Sequence, residues 1–430
     1  MTTPKRYLFA IIDGGGTVPA DTSVIRAMVE RGHDVRVLAD RVLAPDIETT
    51  GAEHVAWDRA PQRPNLEPQS MIMKDWDTST PFQAFARVRD SAMVGPAGLF
   101  AADVRAELQR RPADVVVGNF FVFGAQIAAE AAGVPFAFLV SNLLSFPGSR
   151  TPPLGPGLKL ARGPLGRARD GAINRVMARL FDKSLDQLNE VRRANGHEPA
   201  GSVLENFERA DRLLLLTSRA FEYESFSPPP NVRVTGPRLD DPAWSGDWTP
   251  PAGDDSLVLV GMSSTYMDHA QALQRVAAAL GSLPVRGLVT TGPSIPADAI
   301  DAPANVTVVE RAPHSEVLRH ASAVVTHAGH GTVIKSLAAG VPVVAIPLGR
   351  DQLDNAARVA HHGAGLRLKP KAGTEAIARA VQRVIDEPAF AANARRLADA
   401  IAVETADDRA AEELEALADR AAAQAAPAAA

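Results

Sequence analysis

Two series of strand-length apolar runs, each alternating with helix-length amphipathic stretches, constrain this 430-residue chain more than any other feature. In the first series Tyr7–Ile12 reads as a strand, Gly14–Gly16 as a turn, and Ser23–Arg31 as a helix with Val24, Ile25, Met28 and Val29 on one face. Gly32 ends that helix and Asp34–Leu38 is the next strand. Asp114–Gly118, Gly124–Ala132 and Phe136–Val140 form a second strand–helix–strand unit, and Leu213–Thr217 is expected to close this half as its last strand. Between 226 and 253 stand Pro228, Pro229, Pro230, Pro237, Pro242, Pro250 and Pro251. Proline's fixed φ and missing N–H stop helices and ladders alike, so an interdomain linker is expected there. Leu257–Val260, Gly287–Thr290, Val306–Val309, Ala323–Thr326 and Val343–Ile346 then resume the strand pattern. The expected fold is α/β, with two Rossmann-like doubly wound domains, 1–225 and 254–395, facing a central cleft. The alanine-rich end, 421–430, is expected to be disordered.

Composition narrows the function. Hydrophobic residues make up 46% and charged residues 22%, enough to bury real cores. A net charge of -5 without like-charge runs argues against a general nucleic-acid or anionic-membrane binder. The absence of cysteine excludes disulfides, thiolate nucleophiles and cysteine metal sites. Neither a secretory signal nor a membrane span is legible, so a cytoplasmic location is expected. Ten histidines remain for chemistry near neutral pH, and six of them fall within 314–362.

That region holds the most informative segment. Ala323–Thr326 leads into His327-Ala-Gly329-His330-Gly331-Thr332, a small-residue turn that opens a helix. Free N–H groups at a helix start favour a phosphate or diphosphate. Gly329 and Gly331 permit close approach, Thr332 adds a hydroxyl, and His327 an N–H; a plain βα turn is the competing reading. Next comes Gly340-Val-Pro-Val-Val-Ala-Ile-Pro-Leu-Gly-Arg-Asp351-Gln352, whose last two side chains suit sugar hydroxyls. A capping role for Asp351 competes with that reading. Arg311-Ala312-Pro313 forms a turn able to read a nucleobase edge, and Gly261-Met-Ser-Ser264-Thr265 is a hydroxyl-rich loop at the same sheet edge.

Together these segments resemble the inverting nucleotide-sugar glycosyltransferases of the GT-B fold, the UDP-glycosyltransferase and macrolide glycosyltransferase-like superfamily. The resemblance implies a donor site in the C-terminal domain. His327, Gly329, Gly331, Thr332 and Ser264 would hold the diphosphate, Arg311, Ala312 and Pro313 the base, and Asp351 and Gln352 the sugar. It also implies a last helix, about Ala389 to Glu415, that braces the N-terminal domain over 396–420. Two residues depart from the pattern: Arg311 stands where many relatives place tryptophan, and Lys335 where they place a glutamate for the ribose hydroxyls. The second departure leaves room for a thymidine diphosphate donor.

The catalytic dyad of the family is missing. Relatives carry a histidine base after the first strand and a carboxylate after a later one; here Gly16 and Asn119 occupy those acceptor-side positions. Pro19 also breaks a G-x-G-x-x-G dinucleotide pattern. Asp13, at the end of the first strand, is the candidate substitute base, with a turn or helix cap as its competing role. His327-x-x-His330 with His320 could suggest zinc, but no carboxylate sits at helix spacing nearby, and no G-x-S-x-G elbow is present, so neither a metal site nor a cofactor is expected. The expected activity is transfer of a hexose or deoxyhexose from a UDP- or TDP-sugar to a small, largely apolar acceptor. The acceptor would lie beside the irregular stretch Leu144 to Gly166. A catalytically silent nucleotide-sugar-binding relative, or an auxiliary partner of a working transferase, is the second reading, and a nucleotide-sugar 2-epimerase the third. Donor and acceptor are the expected partners, and a homodimer is compatible with them.

Overall fold

The computed structural model describes residues 3–78, 80–145, 148–263 and 265–425. Its strands form two sheets in which every pair is parallel, the arrangement that helical crossovers impose. The N-terminal sheet contains β1 (Arg6–Ala10), β2 (Asp34–Ala39), β3 (Glu53–Ala56), β4 (Val115–Asn119), β5 (Phe136–Val140), β6 (Arg212–Leu215) and β7 (Val232–Val234), in the order β3-β2-β1-β4-β5-β6-β7. The C-terminal sheet contains β8 (Ser256–Gly261), β9 (Val285–Thr290), β10 (Val306–Val309), β11 (Ala321–Thr326), β12 (Val343–Ala345) and β13 (Gly365–Arg367), in the order β10-β9-β8-β11-β12-β13.

Both sheets are buried on two faces, which is why their central strands read as continuous apolar runs. Along β1 and just past it the side chains alternate. Tyr7, Phe9 and Ile11 enter one core layer, and Leu8, Ala10 and Ile12 the other. Direction reverses between β1 and β4 in the first sheet and between β8 and β11 in the second. Loops leaving such neighbours diverge, opening a crevice at the carboxyl ends of the strands.

Three strands escaped the sequence pattern. β7 lies inside the stretch expected to be linker and pairs with β6, so Leu213–Thr217 does not close the sheet. As an edge strand it tolerates the prolines around it. β3 (EHVA) and β13 (GLR) are short edge strands carrying polar residues, so neither shows an apolar run.

The expected last helix is two helices, Pro388–Glu404 and Arg409–Ala425. Residues 421–425, expected to be disordered, continue the second helix; 426–430 lie outside the described residues. Ala410, Ala411, Leu414, Leu417 and Ala418 pack into the N-terminal core with Tyr7, Val115 and Leu139. Glu415 pairs with Arg31 at 2.9 Å and lies 3.0 Å from His33. The chain therefore passes between domains twice, and the two passages touch. Arg238 of the first pairs with Asp408 of the second, and a Cβ on Gly236 would stand 2.7 Å from the Glu404 carbonyl oxygen.

Candidate active site

In the C-terminal crevice the β8 loop contributes Ser263 and Thr265, whose hydroxyls are hydrogen-bonded at 3.0 Å. Ser264, expected to face the diphosphate, lies outside the described residues. From β11 the chain passes through His327 and Ala328, at a left-handed φ of 68°, to Gly329, the N-cap of helix His330–Ala338. Gly329 offers no side chain to cap that helix, so its first-turn N–H groups remain available to an anion. Thr332 stands in the same turn, half-buried.

His327 is buried, with Nδ1 3.3 Å from the Thr326 hydroxyl. Burial, reinforced by His269 and Arg350, pushes its pKa down to about 3. At neutral pH it therefore offers a neutral N–H, not a cation. A Cβ on Gly329 would stand 2.6 Å from His327 Nε2, so glycine alone leaves the ring its place. Gly331 has room around it, and the nearest atom to a Cβ there is the Gly16 oxygen at 3.8 Å. The glycine turn of the N-terminal domain thus lies directly over the start of helix His330–Ala338.

Asn355 links this turn to the expected sugar-binding pair. Its Nδ2 donates to the Ala328 carbonyl at 3.0 Å and to Asp351 Oδ2 at 2.9 Å, and its Oδ1 lies 3.2 Å from His330 Nδ1. Asp351 occupies the N-cap position of helix Gln352–His361, but its carboxylate makes no capping bond. Gln352 Oε1 accepts from the Leu348 and Gly349 N–H groups at 2.8 and 3.0 Å, which fixes the loop that presents Asp351.

At the other end of the crevice Ala312 is buried and Pro313 is the N-cap of helix His314–Leu318. Arg311 binds Glu310 at 2.8 Å and lies 5.9 Å from the ring centroid of Trp244. An aromatic ring therefore does stand beside this turn, supplied by the linker. Lys335 donates to Asp241 at 2.7 Å, and Asp241 also accepts from Ser315 N and Oγ at 2.9 and 2.6 Å. Burial opposes ionisation of Asp241, yet Lys335 and Ser315 outweigh it and hold its carboxyl below the usual range.

On the acceptor side, β1 and β4 end beside one another. Asp13 Oδ1 accepts from Gly15 N at 2.8 Å, and Oδ2 is paired with Arg63. Its own N–H donates to Asp40, a buried carboxyl whose pKa burial raises to about 7. Asp13 thus caps the glycine turn while Arg63 holds it. Gly16 is open, with nothing within 4 Å of a Cβ. Asn119 Nδ2 donates to the Ile12 carbonyl at 3.0 Å, and its Oδ1 has no partner among the described residues. Within the stretch read as an acceptor wall, Gly155 and Gly157 donate to Asp354 at 2.6 and 3.0 Å, tying that loop to the C-terminal domain.

The chain matches the family model "UDP-glucoronosyl and UDP-glucosyl transferase" over residues 215–407. It is 33% identical to the 4'-demethylrebeccamycin synthase of Lentzea aerocolonigenes across 93% of this chain and 96% of that protein. It belongs to the UDP-glycosyltransferase superfamily. Oleandomycin glycosyltransferase of Streptomyces antibioticus is 27% identical across 96% of this chain and 91% of its own length. The solved structure of the glycotransferase of kitacinnamycin covers 97% of this chain and all of its own, with a TM-score of 0.75 at 21% identity. The chain is a glycosyltransferase of the macrolide and antibiotic type, with a GT-B fold.

Several residues of this glycosyltransferase's cleft carry no sequence signal. His269, 1% exposed, has no partner for either ring nitrogen among the described residues, and burial pushes its pKa down to about 4. Asp21 is fully buried, bonded to the Ser141 hydroxyl at 2.7 Å, and burial raises its pKa to about 7. Arg350 reaches across to Asp75 of the other domain. A cavity of about 470 Å³ beside that contact is lined by Pro68, Lys74, Trp76 and Tyr266. Among the described residues no group of histidines and carboxylates is placed to hold a metal, and no helix is long and apolar enough to cross a membrane.

Proposed function

We propose that this glycosyltransferase moves a hexose or deoxyhexose from a UDP- or TDP-sugar to a small, largely apolar acceptor, with inversion at the anomeric carbon. The observation that carries the reading is the uncapped start of helix His330–Ala338, with neutral His327 beside it and the Gly16 turn over it. Helix N–H groups, His327 and Thr332 receive the diphosphate, Arg311–Pro313 the base, and Asp351 with Gln352 the sugar. The acceptor, bound on the N-terminal domain, attacks the anomeric carbon from the face opposite the diphosphate. A single displacement of that kind inverts configuration.

Asp13 takes the acceptor proton, oriented by Arg63 and the Gly15 N–H. General-base help is worth roughly 10²–10⁴-fold, and one fixed donor to the leaving charge about 2.7–4 kcal/mol. Turnover therefore survives the loss of the histidine dyad. The second reading, a silent nucleotide-sugar binder, draws on Gly16 and Asn119 at the dyad positions. Incubation of the pure protein with UDP- and TDP-sugars and a panel of phenols and alcohols separates the two. Product of inverted anomeric configuration is expected. Nucleotide binding without turnover on any acceptor would favour the silent relative, and consumption of UDP-N-acetylglucosamine without acceptor an epimerase.

A further inference from the structure

A nucleoside diphosphate brings at least two negative charges into the crevice between β8 and β11. The histidines there do not neutralise it, since burial pushes His327 down to about 3 and His269 and His314 to about 4. Lys335 is held in a largely buried pair with Asp241, and Arg311 lies at the exposed far end of the crevice beside Glu310. Arg350 is placed differently. It immediately precedes Asp351 and Gln352, at a φ of 53° that is costly for a residue with a Cβ. Its Nη1 donates to the Thr265 hydroxyl at 3.2 Å, so the guanidinium spans from the β12 loop to the hydroxyl loop of β8. A Cβ on Gly15 would overlap Thr265 Cγ2, which puts this group where the two domains meet.

The other edge of the guanidinium is filled by a carboxylate. Nε and Nη2 donate to Asp75 Oδ2 and Oδ1, both at 2.6 Å, in a bidentate pair. Asp75 belongs to the N-terminal domain and is 9% exposed. The fork geometry of arginine matches a carboxylate and a phosphate alike, and a guanidinium never gives up its proton. We propose that Arg350 is the cationic ligand of the donor's diphosphate and that Asp75 is the carboxylate that occupies it until the donor arrives. Donor and Asp75 then compete for one guanidinium, and donor binding releases the segment that carries Asp75 and Trp76. Trp76 packs edge-on against Tyr266 of the other domain, with ring centroids 5.5 Å apart, so this release also loosens the wall of the neighbouring cavity.

The assignment rests on nucleotide binding as read above, and one set of titrations tests both separately. UDP and TDP are titrated calorimetrically into the parent protein, Arg350→Gln, Asp75→Asn and the double variant, with thermal unfolding to establish that each is folded. Loss of a charge-assisted contact predicts roughly tenfold or weaker binding in Arg350→Gln. Asp75→Asn is expected to bind several-fold more tightly than the parent, because the competing carboxylate is gone, and to have no effect once Arg350 is absent. A merely structural ion pair predicts the opposite sign for Asp75→Asn. Unchanged affinity in Arg350→Gln, or weaker binding in folded Asp75→Asn, overturns the assignment. If Arg350→Gln fails to fold, the sign of the Asp75→Asn effect decides alone. A parent protein that binds neither nucleotide would instead sink the donor-site reading itself.

Discussion

Gly329→Ala is a steric probe of whether His327 touches the donor. The backbone at Gly329 has φ -59° and ψ 140°, which alanine adopts freely, so the substitution strains no torsion. Its cost is all contact: the new methyl would lie 2.6 Å from Nε2 and 2.7 Å from Cε1 of His327. The ring is buried and cannot swing into water, so it must move within a packed site. Overpacking of this kind costs about 1–3 kcal/mol of stability. A misplaced donor to the diphosphate loses about 1–3 kcal/mol of binding, or roughly 5–150-fold in UDP affinity. Gly171→Ala, in helix Pro164–Phe181 with nothing within 4 Å of a Cβ, is the control and should bind UDP and TDP like the parent. Calorimetric titration with UDP and TDP, beside thermal unfolding, reads both quantities. Parent-like affinity in a Gly329→Ala protein with a lowered unfolding temperature would show that His327 moved without consequence, and the diphosphate role given to it would fall.

Other substitutions test the remaining parts. Asp13→Asn should lower turnover by about 10²-fold or more while leaving UDP affinity near the parent's; equal turnover would leave Asp13 with its capping role alone. Gly16→His fits the open space at that position, so Asp13→Asn/Gly16→His should recover activity by placing an imidazole where relatives carry one, and a folded but inactive double variant would count against that placement. Burial raises the Asp21 pKa to about 7, so folded Asp21 keeps a proton that the unfolded chain releases. Its contribution is present at acid pH and lost as pH rises from the ordinary carboxylate range to about 7. Urea unfolding should therefore show Asp21→Asn losing less stability than the parent between about pH 5 and pH 8, and equal losses would refute this. Leu414→Ala, at a fully buried site, should cost about 2–5 kcal/mol in denaturant unfolding of the N-terminal domain; a cost below about 1 kcal/mol would mean the last helix is only loosely docked.

Where pattern and packing coincide, the sequence was readable. β1, β4, β5, β8 and β11 are buried on both faces and announce themselves as apolar runs between glycine turns. β7 was hidden because edge pairing needs few apolar residues and its surroundings carry proline. The turn proposed to hold the donor was legible as a βα turn because its residues are contiguous: His327, Gly329, Gly331 and Thr332. Residues whose role arises across the fold were not. Arg350 stands beside the quoted Asp351-Gln352 pair, but its charge acquires meaning only from Asp75, 275 positions away. Trp244, far from Arg311 in sequence, supplies an aromatic ring that the turn's own residues lack. Asp21 sits in the first turn of helix Val18–Glu30, where a carboxylate ordinarily reads as a dipole partner; only its full burial in the fold, against the opposing hydrogen bonds of Ser141 and Asn119, makes it a group that titrates near neutrality.

The two touching passages of chain act as a double seam between the lobes. Bonded to each other through Arg238 and Asp408, they join the lobes at one place by two strands of chain. Cutting the polypeptide in the stretch 246–253 would not part the lobes, since the downstream fragment still carries Leu414 and Leu417 seated in the upstream core. A nicked enzyme should thus run as one particle until denatured.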